Sequence, residues 1–163
     1  MKILLLHCDY IKWKPLKKAV KGVGDLSEKE KEEHEVKECL VVMSAVEKND
    51  SNISEVSQKV FENIADVSNQ VKTKKIVLYP YAHLSKDLAS PETAQRVLDE
   101  TEKRLKKEFE VHRAPFGYYK EYEFKVKGHP LSELSREIKV ESGERLEEEI
   151  DLKFLQERLT KVK

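Results

Sequence analysis

The opening of this chain, Ile3-Leu4-Leu5-Leu6 followed by His7 and Cys8, limits its fold more than any other feature. In an extended segment, successive side chains point to opposite faces. Ile3, Leu5 and His7 then fall on one side and Leu4, Leu6 and Cys8 on the other, and neither side reads as a solvent face. A strand over residues 2–8 must therefore be covered on both faces, as strands inside α/β sheets are. A second apolar stretch at 36–47, centred on Cys39-Leu40-Val41-Val42-Met43, reads as a second strand.

The remaining segments alternate between helix and strand. Residues 12–35 are rich in Lys and Glu with two glycines, and read as a long excursion, a hairpin or a charged helical stretch around Ser27 to Glu35. Val56, Val60, Ile64, Val67 and Val71 recur at helical spacing over 55–71, with Asn52 or Ser54 as the cap. Ile76 to Tyr81 form a short strand that Pro80 helps to end. Ser90-Pro91-Glu92 combines a capping hydroxyl, a proline at the first helical position and a carboxylate. The helix it opens buries Ala94, Val97, Leu98, Leu105 and Phe109, and strands near 110–113 and at 118–127 follow. The expected fold class is α/β, a mixed β-sheet with two main helices and at least one crossover. From residue 141 the chain is charged and helix-prone, which divides it into a domain at 1–140 and a linker helix at 141–163.

Bulk properties narrow the function. Lys and Arg number 31, as do Asp and Glu, so the formal net charge is zero. A broad duplex-binding surface shows a basic excess, so any RNA contact here must be local. The two cysteines form no disulfide framework and fit a reducing cytoplasm, and no run approaches the length of a membrane span. Phosphate-cradling glycine loops, a nucleophile elbow and paired Cys or His at zinc spacing are all missing, which leaves no metal and no cofactor to expect.

Two positions stand out chemically. Alternation in 118–127 places Tyr118, Lys120, Tyr122, Phe124 and Val126 on one face and Tyr119, Glu121, Glu123, Lys125 and Lys127 on the wet one. Lys120 thus interrupts an inward-facing apolar stripe, and it needs a carboxylate partner, a pocket or a route for its end to reach water. His83 lies in the loop just past the Ile76–Tyr81 strand, the place where α/β sheets bind ligands, and histidine there works as a base or positioner near neutral pH. His7 shares a strand face with Leu5 and reads as a satisfied core histidine, with substrate binding as the alternative. His129 and Glu133 begin a tight turn and a short helical segment, and Glu133 is either a partner for Lys120 or an exposed charge.

Three stretches, KILLLHCDYI, YPYAHLSKDLASPETA and APFGYYKEYEFKVKGHPLSELSR, together resemble the archaeal threonyl-tRNA synthetase editing domain. The resemblance runs from residue 1 to about 140. It implies a fold like that of D-aminoacyl-tRNA deacylases, dimerisation through the sheet, and hydrolysis of serine wrongly attached to threonine tRNA. By matching positions, His83, Tyr119, Lys120 and Glu133 would surround the terminal adenosine and its aminoacyl group, and the main chain of Ala82 would grip the amino group. The implied catalytic set is His83, Lys120 and Glu133, with Ala82, Tyr119 and His7 binding substrate, and a ribose hydroxyl of the tRNA helping to activate the water. The implied partners are the 3′ end of seryl-tRNA, a second copy of the chain and the remainder of the synthetase, to which 141–163 would lead. Lys86-Asp87, Glu121, Glu123 and Cys8 depart from the family pattern at the pocket rim. Rival expectations are a freestanding D-aminoacyl-tRNA deacylase and a non-catalytic tRNA-binding or dimerisation appendage.

Overall fold

A computed structural model describes residues 1–140 of the chain, so the expected linker helix at 141–163 lies outside the described residues. The elements are β1 (Lys2–Lys18), β2 (His34–Ala45), α1 (Ile53–Val71), β3 (Lys75–Pro80), α2 (Pro91–Leu105), β4 (Glu110–Arg113), β5 (Tyr118–Val126) and β6 (Glu133–Glu137). They form one six-stranded mixed sheet in the order β4-β3-β2-β1-β5, with β6 also paired to β1. β1 is antiparallel to β2, β5 and β6, whereas β2, β3 and β4 run parallel and are joined by α1 and α2 as crossovers. This is the mixed α/β sheet with two helices that the sequence pattern implies.

Two segments differ from expectation. β1 does not stop near Cys8 but continues to Lys18, because Ile11, Trp13 and Pro15 keep pointing inward between the exposed or half-exposed Lys12, Lys14 and Leu16. Of the two alternatives for 12–35, the hairpin is formed, and Ser27–Glu32 makes only turns. The segment after Pro130 is not helical. It turns at Ser132 and becomes β6, in which Glu133, Ser135 and Glu137 face water and Leu134 is the single apolar side chain. A five-residue strand with one apolar position carries almost no periodic signal.

Helix boundaries follow local chemistry. The Asn52 side chain accepts a hydrogen bond from Glu55 N and caps α1, and Ser90 accepts from Thr93 N with Pro91 in the first turn of α2. Both helices lie on the same face, where Val60, Ile64 and Val67 of α1 meet Val97, Leu98 and Leu105 of α2 over Leu5, Leu40 and Ile76. Among the described residues no helix covers the opposite face, yet Ile11, Trp13, Cys39, Val41 and Val77 on that side are 0–3% exposed. The sheet itself covers them. The Tyr122 ring on β5 stands 5.5 Å from Tyr79 on β3, although β1 and β2 lie between those strands in the ladder. The sheet is rolled, and both apolar faces of β1 and β2 are interior.

Cys8 and Cys39 face each other across β1 and β2 as free, buried thiols, and burial pushes both up to about 12. Among the described residues, no helix is long and apolar enough to cross a membrane.

Ile64 sits fully buried at the centre of the helix-facing core. Ile64→Ala is expected to lower stability by about 3 kcal/mol through lost burial and an unfilled cavity. Urea denaturation followed by far-ultraviolet circular dichroism measures it.

Candidate active site

A cleft of about 420 Å³ opens where the rolled sheet meets its own edge. Its floor is Tyr79 at the end of β3, one wall is the 3-10 turn Ala82–Leu84, and the facing wall is the start of β5 with Tyr118, Tyr119, Lys120 and Tyr122. Pro91 and Ala94, at the start of α2, close one side. Residues 40 positions apart in sequence therefore face each other because β5 folds over β3.

Lys120 points inward, as alternation requires, and its amine is satisfied without any carboxylate. Nζ donates to the carbonyls of Pro115 (2.9 Å) and Tyr118 (3.1 Å) and lies 5.1 Å from the centroid of the Tyr79 ring. Two carbonyls and an aromatic face stabilise an ammonium, but they do not cancel its charge. Burial alone accounts for the fall of its pKa to about 8. Two of the three ammonium hydrogens are spent, leaving one for a ligand. The Tyr79 hydroxyl beneath it is buried and has no partner among the described residues, and burial followed by the fields of Tyr122 and Tyr81 pushes its pKa up.

His83 stands exposed on the turn, with Tyr81 meeting its ring edge-on at 5.2 Å. The Ala82 carbonyl accepts from Ser85 N at 3.3 Å and retains a second lone pair. Tyr119 is 55% exposed, with the Lys17 ammonium 5.8 Å from its ring centroid. It lies on the wet side of β5, as its parity implies, and also on the rim of the cleft. Ala82, His83, Tyr119 and Lys120 are thus brought together around one hollow. Among the described residues no group of three or more His, Cys, Asp or Glu converges as a metal cage.

Residues 1–138 match the family model described as the archaea-specific editing domain of threonyl-tRNA synthetase. The chain belongs to that family. Threonine--tRNA ligase of Thermococcus onnurineus is 48% identical over 153 residues, covering 92% of this chain and 24% of the relative. That of Methanococcus maripaludis is 45% identical over 152 residues, with 91% and 24% covered. The editing-domain chain therefore spans about a quarter of the length of these curated relatives. Among solved structures, the c-Myc DNA unwinding element binding protein superposes with a TM-score of 0.63 over 86% of this chain and 100% of its own, at 10% identity. At that identity the likeness is one of fold alone.

Two expected site residues lie elsewhere in this editing-domain chain. Glu133 opens β6 and pairs with Leu6, whereas Lys120 pairs with Pro15 of the same strand. Nine residues separate those partners, roughly 30 Å of extended strand at about 3.3 Å per residue. β5 and β6 share β1 end to end, so the anticipated Glu133–Lys120 pair is not formed within one chain. His7 is buried away from the cleft, with Nδ1 2.7 Å from Nε2 of His129. Leu131 N donates to His129 Nδ1, so the His129 proton sits on Nε2 and His7 accepts it. Burial, then His129 and Lys127, lowers the His7 pKa and keeps that acceptor neutral. The plainer reading of His7, a satisfied core histidine, describes its surroundings. Conversely, sequence reasoning gave Tyr79 and Tyr81 no role, although tyrosines on both sides of a strand-ending proline are a visible signal of an aromatic floor.

The Lys120 titration has a stability consequence. Its folded pKa, about 8, lies below that of an exposed lysine, so between these values the unfolded chain binds more protons and stability rises with pH. Lys120→Met is therefore expected to be more stable than the wild type at pH 7, with the difference shrinking as pH rises toward 10. Denaturation midpoints at several pH values measure the trend, and a pH-independent difference would contradict it.

Proposed function

We propose that the cleft hydrolyses the ester linking serine to threonine tRNA, and thereby proofreads the aminoacylation carried out elsewhere in a threonyl-tRNA synthetase. The observation that carries this reading is the Lys120 amine, which is half-buried at the cleft wall and meets no carboxylate among the described residues, with one hydrogen free. Water adds to the ester carbonyl, the tetrahedral intermediate collapses, and the bond to the ribose oxygen breaks. Serine leaves, and a proton from the water ends on the ribose hydroxyl. Negative charge gathers on the carbonyl oxygen during addition. A fixed cation in a water-poor site stabilises that charge far more than it would in water. Lys120 supplies the cation, His83 orients water or substrate from the opposite wall, and the Ala82 carbonyl holds the amino group.

The chemistry of the substrates explains why such a site is needed. Serine differs from threonine by one methyl group, and a group of that size changes binding by only about 1–3 kcal/mol. A site that accepts threonine cannot reject serine well, so a second site must remove the error. Only the single-stranded 3′ end has to enter, through stacking and edge contacts rather than a wide basic surface. The remainder of the synthetase would deliver that end, in the cytoplasm where tRNA is charged. Any role for Glu133 requires a second copy of the chain, because its carboxylate cannot reach its own cleft. A homodimer that brings Glu133 of one copy to the rim of the other copy's cleft, short of an ion pair with Lys120, would give it one.

Hydrolysis of L-seryl-tRNA and D-aminoacyl-tRNA measured in parallel tests the reading. Release of serine, with far slower release of D-amino acids and threonine, is the expected result. Preference for the D-amino acid would mark a D-aminoacyl-tRNA deacylase, and binding without release would mark a non-catalytic appendage. Lys120→Met is expected to lose about 10²-fold or more in rate with its circular dichroism intact. After subtraction of spontaneous hydrolysis, the wild-type rate should fall as pH rises through about 8, where the cation is lost.

A further inference from the structure

The turn Ala82–Leu84 forms a cleft wall yet fully buries none of its own side chains: Leu84 packs half-buried against the second core, while Ala82 and His83 stay exposed. Polar bonds to residues 44–48 supply the rest of its anchoring. Tyr81 N donates to the Ser44 carbonyl (2.8 Å), Ala89 N to the Val46 carbonyl (3.0 Å) and Lys48 N to the Asp87 carbonyl (2.9 Å). Glu47 and Leu88 form an antiparallel bridge. At the centre of this seam, Ser85 Oγ donates to Glu47 Oε2 at 2.6 Å and accepts from Asp87 N at 3.1 Å.

Glu47 is itself held from behind. Its Oε1 lies 3.2 Å from the buried α-ammonium of Met1, which also meets Asp50 Oδ2 at 2.9 Å and donates to the Ile138 carbonyl at 3.0 Å. The Glu47 backbone N donates to Asp50 Oδ2 at 2.7 Å. One carboxylate oxygen is thus clamped to a fixed cation while the other receives the hydroxyl of the functional loop. Burial pushes the Glu47 carboxyl up, but the Ser85 hydroxyl, the Met1 ammonium and Lys2 outweigh it and hold its pKa below the ordinary carboxylate range. Glu47 is therefore ionised at neutral pH, and a charged acceptor makes the Ser85 bond stronger than a neutral one.

We propose that Glu47 and Ser85 are positioning residues: together they fix the 82–85 turn, and through it the Ala82 carbonyl and the His83 imidazole, against the wall that carries Lys120. Its consequence for rate rests on the reading of the cleft as an ester-hydrolysing site, whereas the anchoring itself does not. Neither side chain touches the reacting atoms. Each acts through the turn, and misplacing a catalytic group by about 1 Å can cost about 10²-fold in rate.

The test combines amide hydrogen exchange with deacylation of seryl-tRNA in the wild-type chain, Glu47→Gln, Ser85→Ala and Ser85→Thr. The amides of Lys48, Ser85 and Ala89 are expected to exchange about tenfold or more faster in Glu47→Gln and Ser85→Ala, while those of α1 do not change. The deacylation rate should fall about 10- to 100-fold in the same two variants. Ser85→Thr, which keeps the hydroxyl, should restore both. Should Glu47→Gln fail to fold, Ser85→Ala carries the test alone, because it leaves the Met1 clamp intact. Unchanged exchange in the loop, or full hydrolysis with a loosened loop, would overturn the proposal. A wild-type chain that hydrolyses no aminoacyl-tRNA would count against the substrate reading, and the exchange rates would then decide the anchor by themselves.

Discussion

The structure depends on the closure of β5 over β3. Those strands are separated in the sheet by β1 and β2, yet Tyr122 meets Tyr79 edge-on at 5.5 Å. A flat sheet with two helices on one face would leave Ile11, Trp13, Val41 and Val77 in water. Among the described residues, rolling encloses them without a second helical layer. The bend has a visible origin, because the β1 ladders are interrupted between Cys8 and Tyr10, opposite Glu38, whose backbone takes the left-handed φ of 49°. Irregularities of this kind bend a strand and increase its twist. The same closure that buries the second core also creates the cleft, since its floor is Tyr79 and its wall is the strand laid across it.

The electrostatics of that cleft follow from how Lys120 is satisfied. A buried ammonium normally draws in a carboxylate, and the pair then presents little net field. Here the partners are two carbonyls and a ring face, which orient the amine and leave its charge largely uncompensated. Burial accordingly weakens its hold on the proton, and the group sits close to the boundary between cation and amine near pH 8. Such an arrangement stabilises a transient anion better than a resting ion pair could. A permanent Glu133–Lys120 pair in the same chain would have worked against it.

How far this was legible in the sequence can be judged residue by residue. The continuous apolar run at Ile3–Leu6 correctly required cover on both faces, and the caps Asn52 and Ser90 marked both helices. Lys120 was visible because alternation is a local rule, and His83 because it follows a strand end. The length of β1 was obscured by Lys12, Lys14, Lys17 and Lys18, whose charges hide the inward alternation of Ile11 and Trp13. β6 was hidden by its single apolar side chain. The position of Glu133 was beyond local rules altogether, because it depends on which end of β1 each strand pairs with. Tyr79 acquires its role only through the roll of the sheet. Long-range closure leaves no period in the sequence.

Zero net charge fits this architecture. The lysines of β1 do not form an uninterrupted basic stripe: Lys12 stands opposite Glu35 and Glu123 in the strand register, Lys14 opposite Glu121, and Lys18 pairs with Asp25. Opposite charges at facing positions cancel beyond a Debye length of about 8 Å at physiological salt. A nucleic acid approaching this surface would meet little long-range attraction, so discrimination has to occur at contact distance, inside the hollow between the 82–85 turn and Lys120. Short-range recognition is effective only if the walls hold still. The cleft therefore demands rigidity from a turn that fully buries none of its side chains, and in this chain hydrogen bonds to residues 44–48 add to the partial packing of Leu84 to supply it.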